Sequence, residues 1–463
     1  MTVIVRNVQT RSDRRVFITF PWQLYQGNPY WVPPLVSWQR HKLNQKRNPS
    51  WEYMEGDYFI AWRDEEPVGT IAAFINHRHN AYHNENVGFF GLFEVINDQV
   101  VANALLHTAA EYVESRGCCV LRGPANFSIN DECGVLVKGF NEVPASVSPY
   151  NLPYYQQLLE RAPGFDKLIN LYSYRITLQD WLHSTKLEQT FRLTHRNNAR
   201  RGITVRPVDP KHLRRDLNLV KAIYNVSWDN NWGFVPMTDK ELDLMVREMR
   251  RYMEPRLALL AEVQGEVAGF LMAFPDLNQV LHRVAARPGK PELLSLMQLW
   301  WYKRRGAIDR IRIPVMGVRA EYRGIGVEAA LFTELYQQAA QLSTETGWQY
   351  ADAGWVLESN APMQRIVEGY SGTDYRHHRF YQCQLAPADS YHNPLPELAS
   401  TSQAFLDSRR RRSKIVVEKV PALRSGVRKI SIARPHRLRS ISIPATLRRR
   451  DRVPTHSPEE WIG

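Results

Sequence analysis

The sequence predicts a mixed α/β protein in which one order of elements is used twice, and three observations predict it. A hairpin, a strand followed by a helix, and a further strand succeed one another over residues 1–178 and again over 202–385. Residues 311–328 (IRIPVMGVRAEYRGIGVE) run from a short apolar strand through a tight glycine turn into a helix. The charge is partitioned: from Arg409 onward, 16 Lys/Arg against 4 Asp/Glu carry +12 of the total +13, so the preceding chain is almost neutral at +1. A chain of 463 residues exceeds one ordinary core, and 44% hydrophobic content fits a folded one.

The first half opens with the Pro-rich aromatic run 28–34 (NPYWVPP). A hairpin follows at 58–62 and 68–76, about a turn at 63–67. Residues 87–95 (VGFFGLFEV) are too apolar to be exposed on either face and read as a buried strand. Asp98 caps the next helix, where Val101, Leu105, Ala109 and Tyr112 recur at helical spacing. Residues 119–122 form a short buried strand, and 151–160 start a helix with Pro153 in its first turn. A connector at 179–201, helical and positively charged over 187–201, joins the halves.

In the second half, 203–207 is a strand, and the aromatic loop 228–236 (WDNNWGFVP) interrupts the helical stretch after it. A hairpin at 256–263 and 267–274 precedes the strand–turn–helix unit, whose helix runs to about Leu342. A strand at 350–357, a helix after Asn360 and a strand at 376–385 complete it. Residues 386–463 hold scattered Pro, Ser and Arg, with basic clusters at 409–412 and 448–450. They are expected to be disordered; the apolar pieces at 415–417 and 430–432 are too isolated to hold a core.

Composition excludes several classes. No apolar run has the length of a membrane span. The N-terminal residues carry no sustained apolar core and no small-residue cleavage site, so a cytoplasmic protein is expected. Cys118, Cys119, Cys133 and Cys383 form no C-x-x-C pair. His77 and His79 share a face of a predicted strand, but with His83 they lack a third ligand at metal spacing, so no metal is expected. An almost neutral body argues against a broad nucleic-acid surface, whereas the tail clusters suit weak, salt-dependent binding to nucleic acid or an anionic membrane. Nothing in the sequence sets the oligomeric state.

The glycine turn carries the chemistry. Successive backbone N–H groups in such a turn point outward, and the helix start adds partial positive charge, which suits a pyrophosphate. On Val318-Arg-Ala-Glu-Tyr322, then Arg323-Gly-Ile-Gly326-Val-Glu328, and Glu358-Ser-Asn360, the second half resembles the GCN5-related N-acetyltransferase (GNAT) superfamily. That family's turn reads Arg/Gln-x-x-Gly-x-Gly/Ala; here Glu328 replaces the final small residue. The body as a whole resembles two GNAT folds in tandem, and residues 28–34 and 123–132 resemble an uncharacterised bacterial branch. The resemblance implies acetyl-CoA, or another acyl-CoA, lying between two splayed parallel strands. The pantetheine arm would meet Met316, Gly317 and Val318, and the pyrophosphate Arg323, Gly324, Ile325, Gly326 and Val327. Asn360 falls where the family places an Asn after its fifth strand. The splay implies a bulged fourth strand, for which Pro314 is suited. The implied reaction is acyl transfer, acetyl in the first place, to a small-molecule or peptide amine.

Such transfer needs a proton acceptor, oxyanion stabilisation and a proton for the thiolate. Asp352 and Glu358 are the candidate bases; caps or solvent-facing acids are the alternative. Many members carry a Tyr seven positions beyond the Asn. Here that position is Val367, and Tyr370 is the nearest replacement. Trp228, Asn231, Trp232 and Phe234 occupy the acceptor region, where they grip an amine or pack between the halves. In the first half, 94–99 (EVINDQ) has acids in place of the glycine turn, so that half is not expected to hold coenzyme A. Its polar run Asn126, Ser128, Asn130, Asp131 and Glu132 reads as a polar-ligand site or a hydrogen-bonded loop. Two rivals stand: a non-catalytic acyl-CoA sensor or scaffold, favoured by Val367 and Glu328, and a Fem-type aminoacyltransferase, which needs a basic groove that a +1 body lacks.

Overall fold

A computed structural model describes residues 2–385 apart from 128–130, 229–230, 250–252 and 305. The tail from 386 onward, with its basic clusters and its two apolar pieces, lies outside the described residues. The first half runs β1 (Val3–Asn7), α1 (Arg11–Leu24), α2 (Val36–Lys42), β2 (Met54–Arg63), β3 (Glu66–Asn76), α3 (His77–His83), β4 (Val87–Val95), α4 (Gln99–Glu114), β5 (Val120–Gly123), β6 (Val135–Lys138), α5 (Tyr154–Glu160) and β7 (Phe165–Thr177). Helices α6 (Leu178–His183) and α7 (Thr185–Arg201) connect. The second half runs β8 (Ile203–Pro207), α8 (Leu213–Ser227), α9 (Asp239–Met249), β9 (Ala258–Val263), β10 (Glu266–Pro275), α10 (Asn278–Val284), α11 (Glu292–Arg304), β11 (Arg310–Val318), α12 (Val327–Thr346), β12 (Tyr350–Leu357), α13 (Ala361–Gly369) and β13 (Thr373–Gln384). This is the mixed α/β architecture with a repeated order of elements that the sequence predicts.

The strands form one sheet in the order β1-β2-β3-β4-β5-β13-β7-β12-β11-β10-β9-β8, with β6 also on β13. Counted inward from either edge, five strands of one half are followed by the last strand of the other. β13 pairs antiparallel with β5, β7 pairs antiparallel with β12, and the two exchanged strands pair with each other at the centre. Each half of the sheet is therefore finished by a strand from the opposite half of the sequence. Two pairs, β4–β5 and β11–β12, are parallel, and each is bridged by the long helix that follows its first strand, α4 or α12.

Apolar stripes at helical spacing fix those two helices to the sheet. In α12, Val327, Ala330, Leu331, Leu335 and Leu342 pack on Leu259, Leu271, Ile311 and Ile313. In α4, Val101, Leu105, Ala109 and Val113 do the same on Ile71 and Phe90. Each fully buried Leu or Val of this kind contributes about 2 kcal/mol. One expectation is corrected: His77 and His79 do not share a strand face. The Asn76 side chain accepts from the His79 N–H at 2.9 Å, ends β3 and starts α3. His79 is buried beside Glu85, at 3.1 Å.

Candidate functional site

The site begins with a change of register. Between β10 and β11 the partners step from Met272↔Val315 to Phe274↔Arg312, two residues on one strand against three on the other. The extra residue on β11 is a bulge at 313–314, where Pro314 has no N–H to offer a ladder. Below it, Asp276 N donates to Arg310 O at 2.9 Å; above it, Arg319 N donates to Ala268 O at 2.9 Å. With Arg319 N bonded to Ala268 O, the alternation of backbone groups along an antiparallel strand aims the N–H groups of 315, 317 and 319 at β10 and those of Met316 and Val318 toward β12. β12 has parted from β11 by then, since their pairing ends at Ile313↔Ala353. The carbonyls of Met316 and Val318 are taken internally, by Trp228 Nε1 at 3.0 Å and Arg323 Nε at 3.1 Å. Their N–H groups face a cleft of about 410 Å³. Its walls are largely apolar, with Ile313, Val315, Phe332, Trp355, Met363 and Ile366 among them.

The glycine turn adjoins this cleft. Gly324 (φ +72°) and Gly326 (φ +107°) adopt backbone conformations that disfavour a side chain. α12 starts without a side-chain cap, and its first backbone bond is Ala330 N to Gly326 O. Among the described residues, no acceptor meets the N–H groups of 324–329. The turn is held instead by its Ile325 carbonyl, which accepts from Asn197 Nδ2 at 3.0 Å and Arg201 Nη1 at 2.8 Å, both on α7. Arg323 also donates from Nη2 to Ser227 O at 2.8 Å, so its guanidinium ties the turn to the ends of β11 and α8. Glu328 lines the cleft from the first turn of α12.

The first half has the same frame with its opening filled. Its fourth strand is bulged, Thr70↔Glu94 stepping to Ala72↔Gly91, and β4–β5 pairing ends at Phe89↔Arg122. The chain then turns back into the gap: Ala125 N donates to Phe90 O at 2.8 Å, and Leu92 N to Asn126 Oδ1 at 2.8 Å. A Cβ on Gly91 would lie 1.8 Å from Ala125 O. The start of α4 is capped by Asp98, whose Oδ1 accepts from Val100 N at 2.8 Å and Val101 N at 3.4 Å. An internal carboxylate thus occupies the position that the uncapped α12 leaves open. In the polar run, Asn126 Nδ2 donates to Glu132 Oε2 at 3.2 Å and Lys42 pairs with Glu132 at 3.3 Å, a hydrogen-bonded loop. Ser128 and Asn130 lie outside the described residues.

The predicted site residues separate into two groups. Met316, Gly317, Val318, Arg323, Asn360, Trp228 and Asn231 line the cleft. Asn360 Oδ1 also accepts from Met363 N at 3.2 Å and so caps α13. Trp232 packs on Phe380 of β13 at 5.0 Å, and Phe234 is fully buried against Tyr224. The three candidate acid–base groups are engaged elsewhere, and none lines the cleft. Asp352 is 1% exposed and bonded to Arg312 and the Tyr375 hydroxyl. Glu358 accepts from Lys167 at 2.9 Å, Asn170 N at 3.0 Å and Tyr172 at 3.2 Å. Burial raises its pKa, but Lys167 and the N–H and hydroxyl donors outweigh that and hold the carboxyl below its ordinary value. The Tyr370 hydroxyl donates to Ala329 O at 3.3 Å and its ring stacks on Phe332, and burial pushes its pKa up. Sequence reasoning missed Ser227, Phe332 and Trp355, which converge on the cleft from three separate elements, α8, α12 and β12, with no shared spacing. A shallower depression of about 700 Å³ at Gln179, Asp180, His183 and Glu368 receives none of the predicted residues. Among the described residues, no group of three or more His, Cys, Asp or Glu is placed to hold a metal.

No protein-family model matches the chain. Two curated bacterial proteins are similar along most of it. Protein YghO of Escherichia coli (strain K12) is 26% identical over 382 residues, covering 82% of this chain and 95% of that protein. A bacterial ceramide synthase of Caulobacter vibrioides is 27% identical over 379 residues, covering 82% and 96%. Among solved structures, a tandem GNAT protein from the clavulanic acid biosynthesis pathway aligns with TM-score 0.47 at 11% identity, covering 84% of this chain and all of that one. A GCN5-related N-acetyltransferase from Sphaerobacter thermophilus aligns with TM-score 0.45 at 13% identity, covering 83% and 96%. Both of these solved structures are GNAT proteins, the first a tandem one. At these TM-scores the likeness carries no weight by itself; the repeated strand order and the bulged β11 stand on this chain's own register.

Proposed function

We propose that the chain is an acyl-CoA-dependent N-acyltransferase whose second half alone binds the donor. The observation that carries this is the contrast between two like openings: one keeps its N–H groups free beside an uncapped glycine turn, the other is filled by its own backbone and capped by Asp98. The free N–H groups of the turn would hold the pyrophosphate, and those of Met316 and Val318 the pantetheine arm and the thioester oxygen. Bound acyl-CoA supplies an activated acyl group. The chain contributes position and oxyanion stabilisation. With Asp352, Glu358 and Tyr370 engaged outside the cleft, the amine has to arrive neutral. The rate then follows the acceptor's own free-base fraction as pH rises, with no break from Asp352 or Glu358; Glu328, the carboxylate that does line the cleft, sits at the turn that would hold the pyrophosphate.

Acetyl-CoA is the donor that the family resemblance implies. The largely apolar walls and the ceramide synthase relative favour a longer acyl group and an amphiphilic amine, since ceramides are N-acyl amides of long-chain amino alcohols. Calorimetric titration with acetyl-CoA, palmitoyl-CoA and free coenzyme A separates these donors, and thiol release in the presence of long-chain amines tests turnover. Gly326→Trp should abolish binding, but a side chain there also presses on Asn197 Nδ2, 2.5 Å from the Cβ position. Glu328→Ala is the gentler probe: removing a negative charge beside a diphosphate should tighten binding several-fold. Unchanged affinity in both variants would mean that the donor lies elsewhere. Binding without thiol release from any amine would favour the sensor reading.

A further inference from the structure

α11 is apolar on two faces, one of them buried and the other largely exposed. Ser295 is buried, and Leu299 and Tyr302 pack inward on the cluster of Leu35, Val280, Leu281 and Val284. That stripe, with spacings of four and three, is the helix's mount. The opposite side carries Leu293, Leu294, Leu296, Met297, Trp300 and Trp301, each 43–68% exposed. They fall at i, i+1, i+3, i+4, i+7 and i+8, a continuous surface along the whole helix. An exposed apolar surface of this extent on a folded protein marks a binding face.

The mount is firm. Glu292 at the helix start accepts from Ser37 N at 3.1 Å and Ser37 Oγ at 2.7 Å. Ahead of it, Trp22 Nε1 donates to Ala286 O at 2.7 Å, and the His282 ring meets Pro29 O at 2.9 Å. The aromatic run 28–34 and the first helices thus hold α10 and α11 in place.

Charge identifies the occupant. Arg283, Arg287 and Lys290 lie exposed just before the helix. Glu292 is the one acid between His282 and Gly306, and Ser37 already engages it. A second apolar protein face would not need a cluster of exposed cations beside it. A sheet of anionic headgroups over acyl chains matches leucines and tryptophans bordered by Lys and Arg. At 13 residues, about 20 Å, the helix is too short to cross a bilayer and long enough to lie in its surface. We infer that α11 is a membrane-interface helix that docks the protein flat on an anionic phospholipid bilayer. The inference does not rest on the proposed reaction, although α11 leads directly into β11 and would bring the cleft strand to a surface where amphiphiles collect.

The test uses the full-length protein and sedimentation with vesicles of phosphatidylcholine, with and without about 30% phosphatidylglycerol. The parent should partition onto anionic vesicles, and the triple variant L293S/L294S/M297S should lose about tenfold or more of that partitioning. The variant R283Q/R287Q/K290Q should lose severalfold on anionic vesicles and nothing on neutral ones. Brominated lipid should quench parent tryptophan emission, and W300F/W301F should remove most of that quenching. An unchanged melting temperature certifies the fold of each variant, since every altered side chain is on the surface. Equal sedimentation of parent and triple variant would transfer the binding to the tail clusters and overturn the inference. So would a parent dimer in light scattering that dissociates in the triple variant while neither protein binds vesicles, because a second copy would then be what covers the face.

Discussion

Asp352 lies on β12 among three buried arginines, Arg310, Arg312 and Arg376, each at most 2% exposed. Arg310 is answered by Asp276, which also accepts from Ser146 N at 2.9 Å and Asn278 N at 3.0 Å. Burial, with Arg310 and Arg376 nearby, brings the Arg312 pKa down to about 10 in spite of Tyr375. Asp352→Asn removes the charge that compensates Arg312. It should cost about 3–5 kcal/mol in denaturant unfolding while leaving the pH dependence of turnover unshifted. A shifted pH profile at unchanged stability would restore Asp352 as a base. In the same region His378, 1% exposed, bonds Pro149 O at 3.0 Å through Nε2, and burial with Arg376 beside it pushes its pKa down to about 3. Its folded value lies below its unfolded one, so the unfolded state takes up the proton first as pH falls below 6.5. Stability is therefore lost from about pH 6.5 down to about pH 3. At pH 5 the loss from this residue is about 2 kcal/mol. His378→Gln should shrink the pH 7-to-5 difference in unfolding free energy by that amount.

Exchange of β7 and β13 is the element-level feature with the most direct consequence. A fragment of residues 1–201 lacks the strand that covers β5, and a fragment of 202–385 lacks the one that covers β12. Each should be non-cooperative alone in thermal melts, and mixing the two should restore a cooperative transition and the donor-binding cleft. A cooperative 1–201 fragment would mean that β7 can fold back onto β5. Strands with strong alternation or continuous apolar runs, such as 68–76, 87–95 and 350–357, were legible in the sequence because their burial follows from their own residues. The glycine turn was legible for the same reason: positive φ at Gly324 and Gly326 is a local demand. The exchange was not, because pairing between strands some 200 residues apart leaves no local signal. The partners of the candidate bases Asp352 and Glu358 were not legible, because Arg312, Tyr375 and Lys167 arrive from other strands. α11 went unread because a helix apolar all round has no contrast between faces.

For the whole molecule, the proposed function together with the filled opening of the first half predicts one donor site. Titration with acyl-CoA should give one site per chain, and a second site of comparable affinity would contradict the closure made by Ala125, Asn126 and Asp98. A donor that binds only the folded state, at a hundred times its Kd, should add about 2.7 kcal/mol to stability and raise the melting temperature accordingly. That gain should be absent in Gly326→Trp even where the variant's own melting temperature is lowered.

The clasp at the centre of the sheet also sets a timetable for synthesis. β13 leaves the ribosome about 250 residues after β5, on the order of tens of seconds later at ordinary elongation rates. Throughout that interval the nascent amino-terminal half presents an uncovered strand edge. Truncation at any codon before β13 leaves that edge open permanently, so the cell should recognise premature products of this gene as substrates for chaperones and proteases.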